Sequence, residues 1–317
     1  GRMGIVALGC GFFAGLQMCG PDMRVAADKL YDGTNLYDLR LVSTMGFTRS
    51  DVDRLAVVEG VQSVMPAMSM DAMTRMGNLQ IATRISSMDV DAVEKGVEQD
   101  ANVILSDDGT YINRVFLREG SWPSKSDECV ISADKLIEGL SIGDSVEVLY
   151  GVVDIDDALS AKTFKVVGTV SASQYPYTGR FGTTTLGSGS IDEYIFVRKD
   201  AFVEDYPFTE MYMRVEGADA YESGSDAYKA AVNAVRERIE SMQHDLAQAR
   251  LVDMRADAQE KIDEAREKLE SKKADANKEL GDAQSELDDA KKELDSSKTQ
   301  LDDAQAQLND AQSELRR

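Results

Sequence analysis

Few residues in this sequence could carry catalysis or bind a transition metal. The chain has one histidine, His244, and three cysteines, of which only Cys129 lies outside the apolar N-terminal stretch. A catalytic nucleophile needs a base beside it, and a zinc site needs several cysteine or histidine ligands. His244 lies between Gln243 and Asp245 in a helical pattern, and Cys129 lies in a strand-like segment. We therefore expect a solvated histidine, a buried thiol, no catalytic residue and no metal ligand.

Two short motifs are similar to ligand-binding signatures but lack the context of those signatures. Gly9–Ala14 matches the Gly-x-Gly-x-x-Ala fingerprint of dinucleotide-binding proteins, but no apolar strand ending in an acidic residue follows it. Asp154–Asp157 resembles the start of a calcium-binding loop, but the glycine at the sixth place and the distal glutamate are missing. We expect a turn at Asp154–Asp157 and no cofactor. A pair of catalytic carboxylates of the glycosidase type stays an open alternative in so acidic a chain.

The charge balance limits the possible partners. The 317 residues carry a formal net charge of −22, and the hydrophobic content of 43% is enough to bury a core. Nucleic acid and anionic lipid surfaces would both repel such a chain. We therefore expect no nucleic-acid partner and a solvated or extracellular surface.

The N-terminal stretch from Met3 to Met18 is apolar and carries no charge over about 16 residues. A membrane-spanning helix needs roughly 20 such residues. The stretch contains four glycines, which are unfavourable in a soluble helix but common in membrane helices. We interpret residues 1–19 as the end of a truncated first transmembrane helix, which would attach the protein to a membrane. A buried core helix or strand is the alternative.

The middle of the chain has the pattern of a mixed α+β body. Residues 20–85 alternate between helical and strand-like periods, and a capping box at Thr48–Asp51 predicts the start of a short helix. Residues 86–190 contain short strand-like segments and frequent turn signals, which indicate a small mixed-β subdomain. Residues 191–243 return to strands and then to a helix that starts after Ser225.

The strongest pattern lies in residues 244–317, which we predict to form one long helix. Leucine recurs at every seventh position from Leu280 to Leu315, and alanine or serine follows at the third position after each of the first five leucines. This is the repeat of a coiled coil, with leucine at position a and a small residue at position d. The predicted contacts with a partner helix are Leu280, Ala283, Leu287, Ala290, Leu294, Ser297, Leu301, Ala304, Leu308, Ala311 and Leu315.

The charges beside this repeat leave the partner open. As an isolated solvated spacer, which is the alternative, the helix would forgo roughly 1.5–3 kcal/mol of burial for each leucine. A parallel pair of two copies would place Glu286 opposite Lys291, and Glu293 opposite Lys298, of the other copy. The charges permit this pair without demanding it, because exposed ion pairs are each worth less than about 1 kcal/mol.

Several segments, among them Leu117–Gly120, Glu128–Ser132 and Phe164–Gly168, resemble the FtsX-like and MacB-like permeases of ABC transporters. Ala7–Leu16 followed by Gly20–Met23 is similar to the end of the family's first transmembrane helix. Asp38–Thr44, Gly60–Val61 and Val64–Ala67 are similar to the first outer strand and to the segment after its helix. The family's central β subdomain is similar to this chain at Leu117–Gly120, Glu128–Ser132, Ile142–Asp144 and Phe164–Gly168. The motifs occur in the family's order and cover about residues 5–243.

The resemblance implies the extracytoplasmic domain of a permease in the bacterial cell membrane. It implies an α+β fold in which a porter-like α/β layer, split between residues 20–85 and 191–243, flanks the mixed-β subdomain. A separate cytoplasmic ABC ATPase subunit would hydrolyse ATP, and the outer domain itself would have no catalytic residues. The domain would couple that hydrolysis to an event outside the membrane, either export of a peptide, lipoprotein or lipid or regulation of a cell-wall partner.

The long heptad helix departs from the simpler family pattern and favours binding of a partner helix. Three partners are open: the missing return helix of the same protein, a second permease, and an extracellular protein. A coiled-coil interaction or adhesion protein without transport activity is the alternative function.

Overall fold

The computed structural model describes residues 23–95, 111–133, 140–175 and 181–315. The predicted transmembrane segment, residues 1–19, lies outside these ranges. No helix within the described ranges is both long enough and apolar enough to cross a membrane. The chain divides into two compact units, Gly1–Arg250 and Leu251–Arg317.

The described elements confirm the predicted α+β class and the long C-terminal helix. The strands are β1 (Leu39–Phe47), β2 (Val61–Ala67), β3 (Ser69–Met76), β4 (Leu79–Met88), β5 (Val115–Gly120), β6 (Glu128–Ser132), β7 (Ser145–Gly151), β8 (Thr163–Ala172), β9 (Glu193–Arg198) and β10 (Phe208–Val215). The helices are α1 (residues 23–33), α2 (Arg49–Ala56), α3 (Val90–Lys95) and α4 (Asp226–Leu315), with short 3-10 turns at Lys199–Ala201 and Ala218–Ala220.

A three-stranded antiparallel sheet has the order β1-β10-β2. Helix α2 begins with the predicted capping box: the Thr48 side chain accepts a hydrogen bond from the Asp51 amide, and the Asp51 carboxylate accepts one from the Thr48 amide at 2.8 Å. Leu55 of α2 and Val235 of α4 pack with Met213 of β10 in one apolar core. Burial of this apolar surface holds the two helices to the sheet.

A second, mixed sheet has the order β5-β8-β6-β9-β4-β3-β7. Strand β7 also pairs with β8, so the strands β8, β6, β9, β4, β3 and β7 form a closed ring. Each of these six strands contributes buried apolar residues to one core, which includes Met70, Ile85, Cys129, Phe164 and Ile195. Closure of the ring leaves β5 as the edge strand of this sheet.

Strand β3 was not predicted from the sequence. Its residues Met70, Ala72, Thr74 and Met76 alternate with less buried neighbours, but methionine, alanine and aspartate are poor markers of a strand. Strand β3 precedes residue 85 and β4 runs across it, yet both strands pair within the second sheet. Helix α4 is continuous across residues 243 and 244. The domain limits at residues 85, 190 and 243 stay a prediction.

Candidate functional site

Helix α4 carries the predicted partner-binding residues, and its start is well defined. The Ser225 hydroxyl accepts a hydrogen bond from the Tyr228 amide at 3.2 Å, as expected of a helix N-cap. Val232, Val235 and Ile239 are buried in the core of the first unit. Beyond residue 250 the sequence consists mostly of alanine, leucine, glutamate, lysine, glutamine and aspartate, and most of these residues favour a helix.

The buried carboxylate of Asp38 connects the first turn of α4 to the three-stranded sheet. The Asp38 carboxylate accepts hydrogen bonds from the Tyr228 hydroxyl at 2.7 Å, the Val215 amide at 2.8 Å and the Arg214 guanidinium at 3.0 Å. The side chain of Asp38 is 1% exposed and that of Arg214 is 9% exposed. Burial and the adjacent Asp38 carboxylate raise the pKa of Tyr228, so its hydroxyl stays protonated and donates to Asp38.

The leucines of the heptad repeat form an exposed stripe on the second unit, which we call the leucine seam: Leu280, Leu287, Leu294, Leu301, Leu308 and Leu315. Their exposure ranges from 53% at Leu287 to 88% at Leu315. The d positions between them, from Ala283 to Ala311, are exposed as well. The seam covers about 52 Å of helix, at 1.5 Å per residue. An apolar stripe of this length on a described helix is a surface that another helix could bury.

The stripe continues towards the N-terminus of the second unit with a change of spacing. Ile262 and Leu269 are exposed by 47% and 53%, and seven residues separate them. Leu269 and Leu280 are 11 residues apart, which is close to three helical turns, so the stripe stays on nearly the same face. A partner helix could therefore follow the stripe upstream of Leu280.

The charges on α4 divide into two groups. On the face away from the seam, Lys292 pairs with Asp289 at 3.1 Å, a spacing that stabilises an isolated helix modestly. The flanking residues Glu286, Lys291, Glu293 and Lys298 have no ion-pair partner among the described residues. Their charges are thus available to a partner helix. The predicted helix contacts themselves stay a prediction.

The other residues considered for chemistry have structural surroundings. His244 is exposed on α4, and Cys129 is fully buried in β6, where burial raises the pKa of its thiol. Asp154–Asp157 forms a turn in which Asp156 pairs with Lys162 at 2.7 Å. Across the described ranges, no group of three or more histidine, cysteine or acidic residues is placed to hold a metal ion. The Gly9–Ala14 motif lies outside those ranges.

Sequence reasoning missed two arginine–carboxylate pairs, one in each sheet. Arg40 donates from Nε and Nη2 to the two carboxylate oxygens of Glu210, at 3.0 and 2.7 Å. Arg84 donates in the same way to Asp71, at 2.8 and 3.1 Å. Arg40 and Glu210 are 170 positions apart, so no local pattern indicates their contact. The available signal is a charged residue inside an otherwise apolar strand, as at Glu210 of β10.

Glu210 is ionised although it is buried. Its side chain is 4% exposed, and it also accepts hydrogen bonds from the hydroxyls of Ser69, at 2.8 Å, and Tyr212. Burial by itself would raise the pKa of this carboxyl, but the hydrogen bonds and charge of Arg40, with the two hydroxyls, hold the pKa below its ordinary value. Glu210 therefore connects the three-stranded sheet to the start of β3.

Comparison with known proteins finds matches among solved structures. No family model matches the sequence, and no curated protein matches it. The extracellular domain of the noncanonic ABC-type transporter YknZ from Gram-positive bacteria matches with 14% identity and a TM-score of 0.30, over 61% of this chain and 86% of that chain. The periplasmic region of MacB from Actinobacillus actinomycetemcomitans matches with 12% identity and a TM-score of 0.29, over 64% and 75%.

Proposed function

We propose that this chain is the extracytoplasmic, non-catalytic part of an ABC-transporter permease, and that α4 binds a partner helix through the leucine seam. The observation that carries the proposal is the exposed seam on a helix whose flanking charges are unpaired among the described residues. The ordered motifs between residues 5 and 243 support the permease assignment. In this proposal a separate cytoplasmic ATPase subunit hydrolyses ATP, and residues 1–19 attach the chain to the bacterial cell membrane.

Burial of the exposed leucines would supply the free energy for pairing. Full burial of a leucine side chain contributes roughly 1.5–3 kcal/mol, and all six seam leucines are more than half exposed. The alanine or serine at each d position lets the partner's backbone approach closely. A partner helix therefore gains contact along the whole seam, which makes α4 suited to carry motion or force between the permease and a partner.

The repeat and its flanking charges bear on the direction of the partner helix. An antiparallel partner with the same repeat would place leucine opposite alanine or serine in every layer, whereas a parallel second copy would alternate leucine layers with alanine layers. The unpaired charges favour the parallel copy, because Glu286 and Glu293 would face Lys291 and Lys298. Three partners stay open, and experiments distinguish them: a return helix of the same protein, a second permease and an extracellular protein.

The domain organisation forms part of the proposal. The porter-like layer, proposed for residues 20–85 and 191–243, would include the three-stranded sheet, and the proposed mixed-β subdomain, residues 86–190, would include most of the second sheet. The event outside the membrane would be export of a peptide, lipoprotein or lipid, or regulation of a cell-wall partner.

Membrane fractionation and co-purification test the permease assignment. We expect the full-length protein in the cytoplasmic membrane fraction and an ABC ATPase in its affinity eluate. Recovery as a soluble secreted protein would contradict the assignment. Pairing through the seam in a protein that binds no ATPase would instead support the alternative, a coiled-coil interaction or adhesion protein without transport.

A further inference from the structure

A polar cavity of about 260 Å³ lies within the first unit, where residues of the two sheets face each other. Arg40 of β1 and Arg84 of β4 both line it, so each sheet contributes one guanidinium group. The other lining residues are Tyr37, Gln174, Tyr175, Phe181, Gly182, Thr183 and Tyr212. None of the described residues that line the cavity is acidic, although the chain as a whole is strongly acidic.

A carboxylate holds each of the two arginine side chains in place. Each uses Nε and Nη2 to hold a carboxylate, Glu210 for Arg40 and Asp71 for Arg84. This side-on geometry leaves the two N–H groups of Nη1 for another acceptor. Among the described residues, the Nη1 atoms of Arg40 and Arg84 have no hydrogen-bond partner. Nη1 of Arg84 lies beside Gly182 of the cavity wall, since a Cβ added to Gly182 would be 3.4 Å from it.

The surroundings of the guanidinium groups limit their motion. The side chain of Arg84 is 14% exposed and that of Arg40 is 32% exposed. The ring centroids of Tyr37 and Tyr212 are 5.2 Å apart, and those of Tyr175 and Phe181 are 5.7 Å apart. The cavity thus combines aromatic rings with two oriented guanidinium groups, each of which is paired with one carboxylate and keeps Nη1 for a further acceptor. This arrangement suits an anionic group attached to an apolar body.

We propose that this cavity binds an oxyanion, a carboxylate or a phosphate attached to a small apolar group, between Arg40 and Arg84. The guanidinium N–H groups donate to the anion, and the tyrosine and phenylalanine rings contact the apolar group. Because the two arginines belong to different sheets, a bound anion bridges the three-stranded sheet and the second, mixed sheet. The site is independent of the leucine seam.

Three probes test the site by calorimetry or by chemical-shift titration of the full chain. N-acetylphenylalanine represents a carboxylate, phenyl phosphate represents a phosphate, and N-acetylphenylalanine amide is the neutral analogue. We expect at least one anion to bind about tenfold or more tightly than the amide, since a hydrogen bond to a charged group contributes that much. The anion that binds more tightly then identifies whether the site prefers a carboxylate or a phosphate.

Double substitutions that remove both members of an ion pair test the role of Arg84. Arg84→Gln with Asp71→Asn removes the cation without leaving a buried charge unpaired, and we expect the anion to bind about tenfold more weakly to this variant. Arg75→Gln with Glu147→Gln is the matched control, because that pair, at 2.6 Å, is exposed and away from the cavity. Equal binding of the anions and the amide overturns the proposal, and so does unchanged anion binding in the Arg84 variant.

Discussion

Replacing Leu294 and Leu301 by aspartate tests whether the leucine seam is the contact surface of α4. Both leucines lie in the middle of the seam, and their side chains are 69% and 71% exposed. The double variant places two carboxylates where a partner helix would bury two apolar side chains. Because both leucines belong to the second unit, we expect the first unit to stay folded.

The expected loss follows from the exposed fractions. Complete burial of a leucine is worth roughly 1.5–3 kcal/mol, and about two thirds of that remains to be gained at each position. The two substitutions therefore remove about 2–4 kcal/mol per helix, which corresponds to a loss of about 30-fold to 1,000-fold in affinity for an unchanged partner. In a pair of two substituted copies the loss of free energy is about twice as large. Desolvation of the new carboxylates adds to this loss.

Sedimentation equilibrium measures pairing between copies of the chain, and cross-linking in intact cells detects another partner. The control is Ser296→Asp with Thr299→Asp, which adds the same charge on exposed positions outside the a and d sites. Circular dichroism checks that α4 stays helical in both variants. If the control weakens pairing as much as the leucine variant does, or if the leucine variant pairs normally, the seam is not the contact surface. If the unmodified chain sediments as a monomer, self-pairing is wrong and the partner is another helix.

Three further predictions concern the first unit. Glu210→Gln should lower the free energy of unfolding at pH 7, and the difference from wild type should shrink below about pH 4 in urea titrations. The depressed pKa of Glu210 stabilises the fold fully above the carboxyl pKa of the unfolded chain, and this contribution is lost as the pH falls through the pKa of the folded state. Gly120→Ala should destabilise the β5–β8 pairing by more than about 1 kcal/mol in a denaturation assay, because the new Cβ would lie 2.2 Å from a backbone oxygen and the residue has a φ of +82°. Gly77→Ala should cost less in the same assay, because the space around Gly77 is open. The Cys129 thiol should resist alkylation in a chain whose other two cysteines are serine, until denaturant exposes it; rapid labelling of the native chain would contradict its burial.

Local patterns in the sequence were sufficient for the elements that short-range interactions define. The capping box at Thr48 joins residues three positions apart, and the α4 repeat joins residues three, four and seven positions apart, so both can be recognised along the chain. The burial of Cys129 follows similarly from its apolar strand neighbours, Val130 and Ile131. The alternation of helical and strand-like periods indicated the α+β class, which the described elements confirm.

Only the tertiary structure decided the contacts between distant residues. It closes the ring by pairing β7 with β8, and it joins Arg40 to Glu210 across 170 positions. It also brings Arg40 and Arg84, from different sheets, to the lining of one cavity. The physical reason is that helix caps and heptads arise from hydrogen bonds and side-chain spacing within a few turns, whereas ring closure and buried ion pairs depend on which surfaces the folded chain brings together.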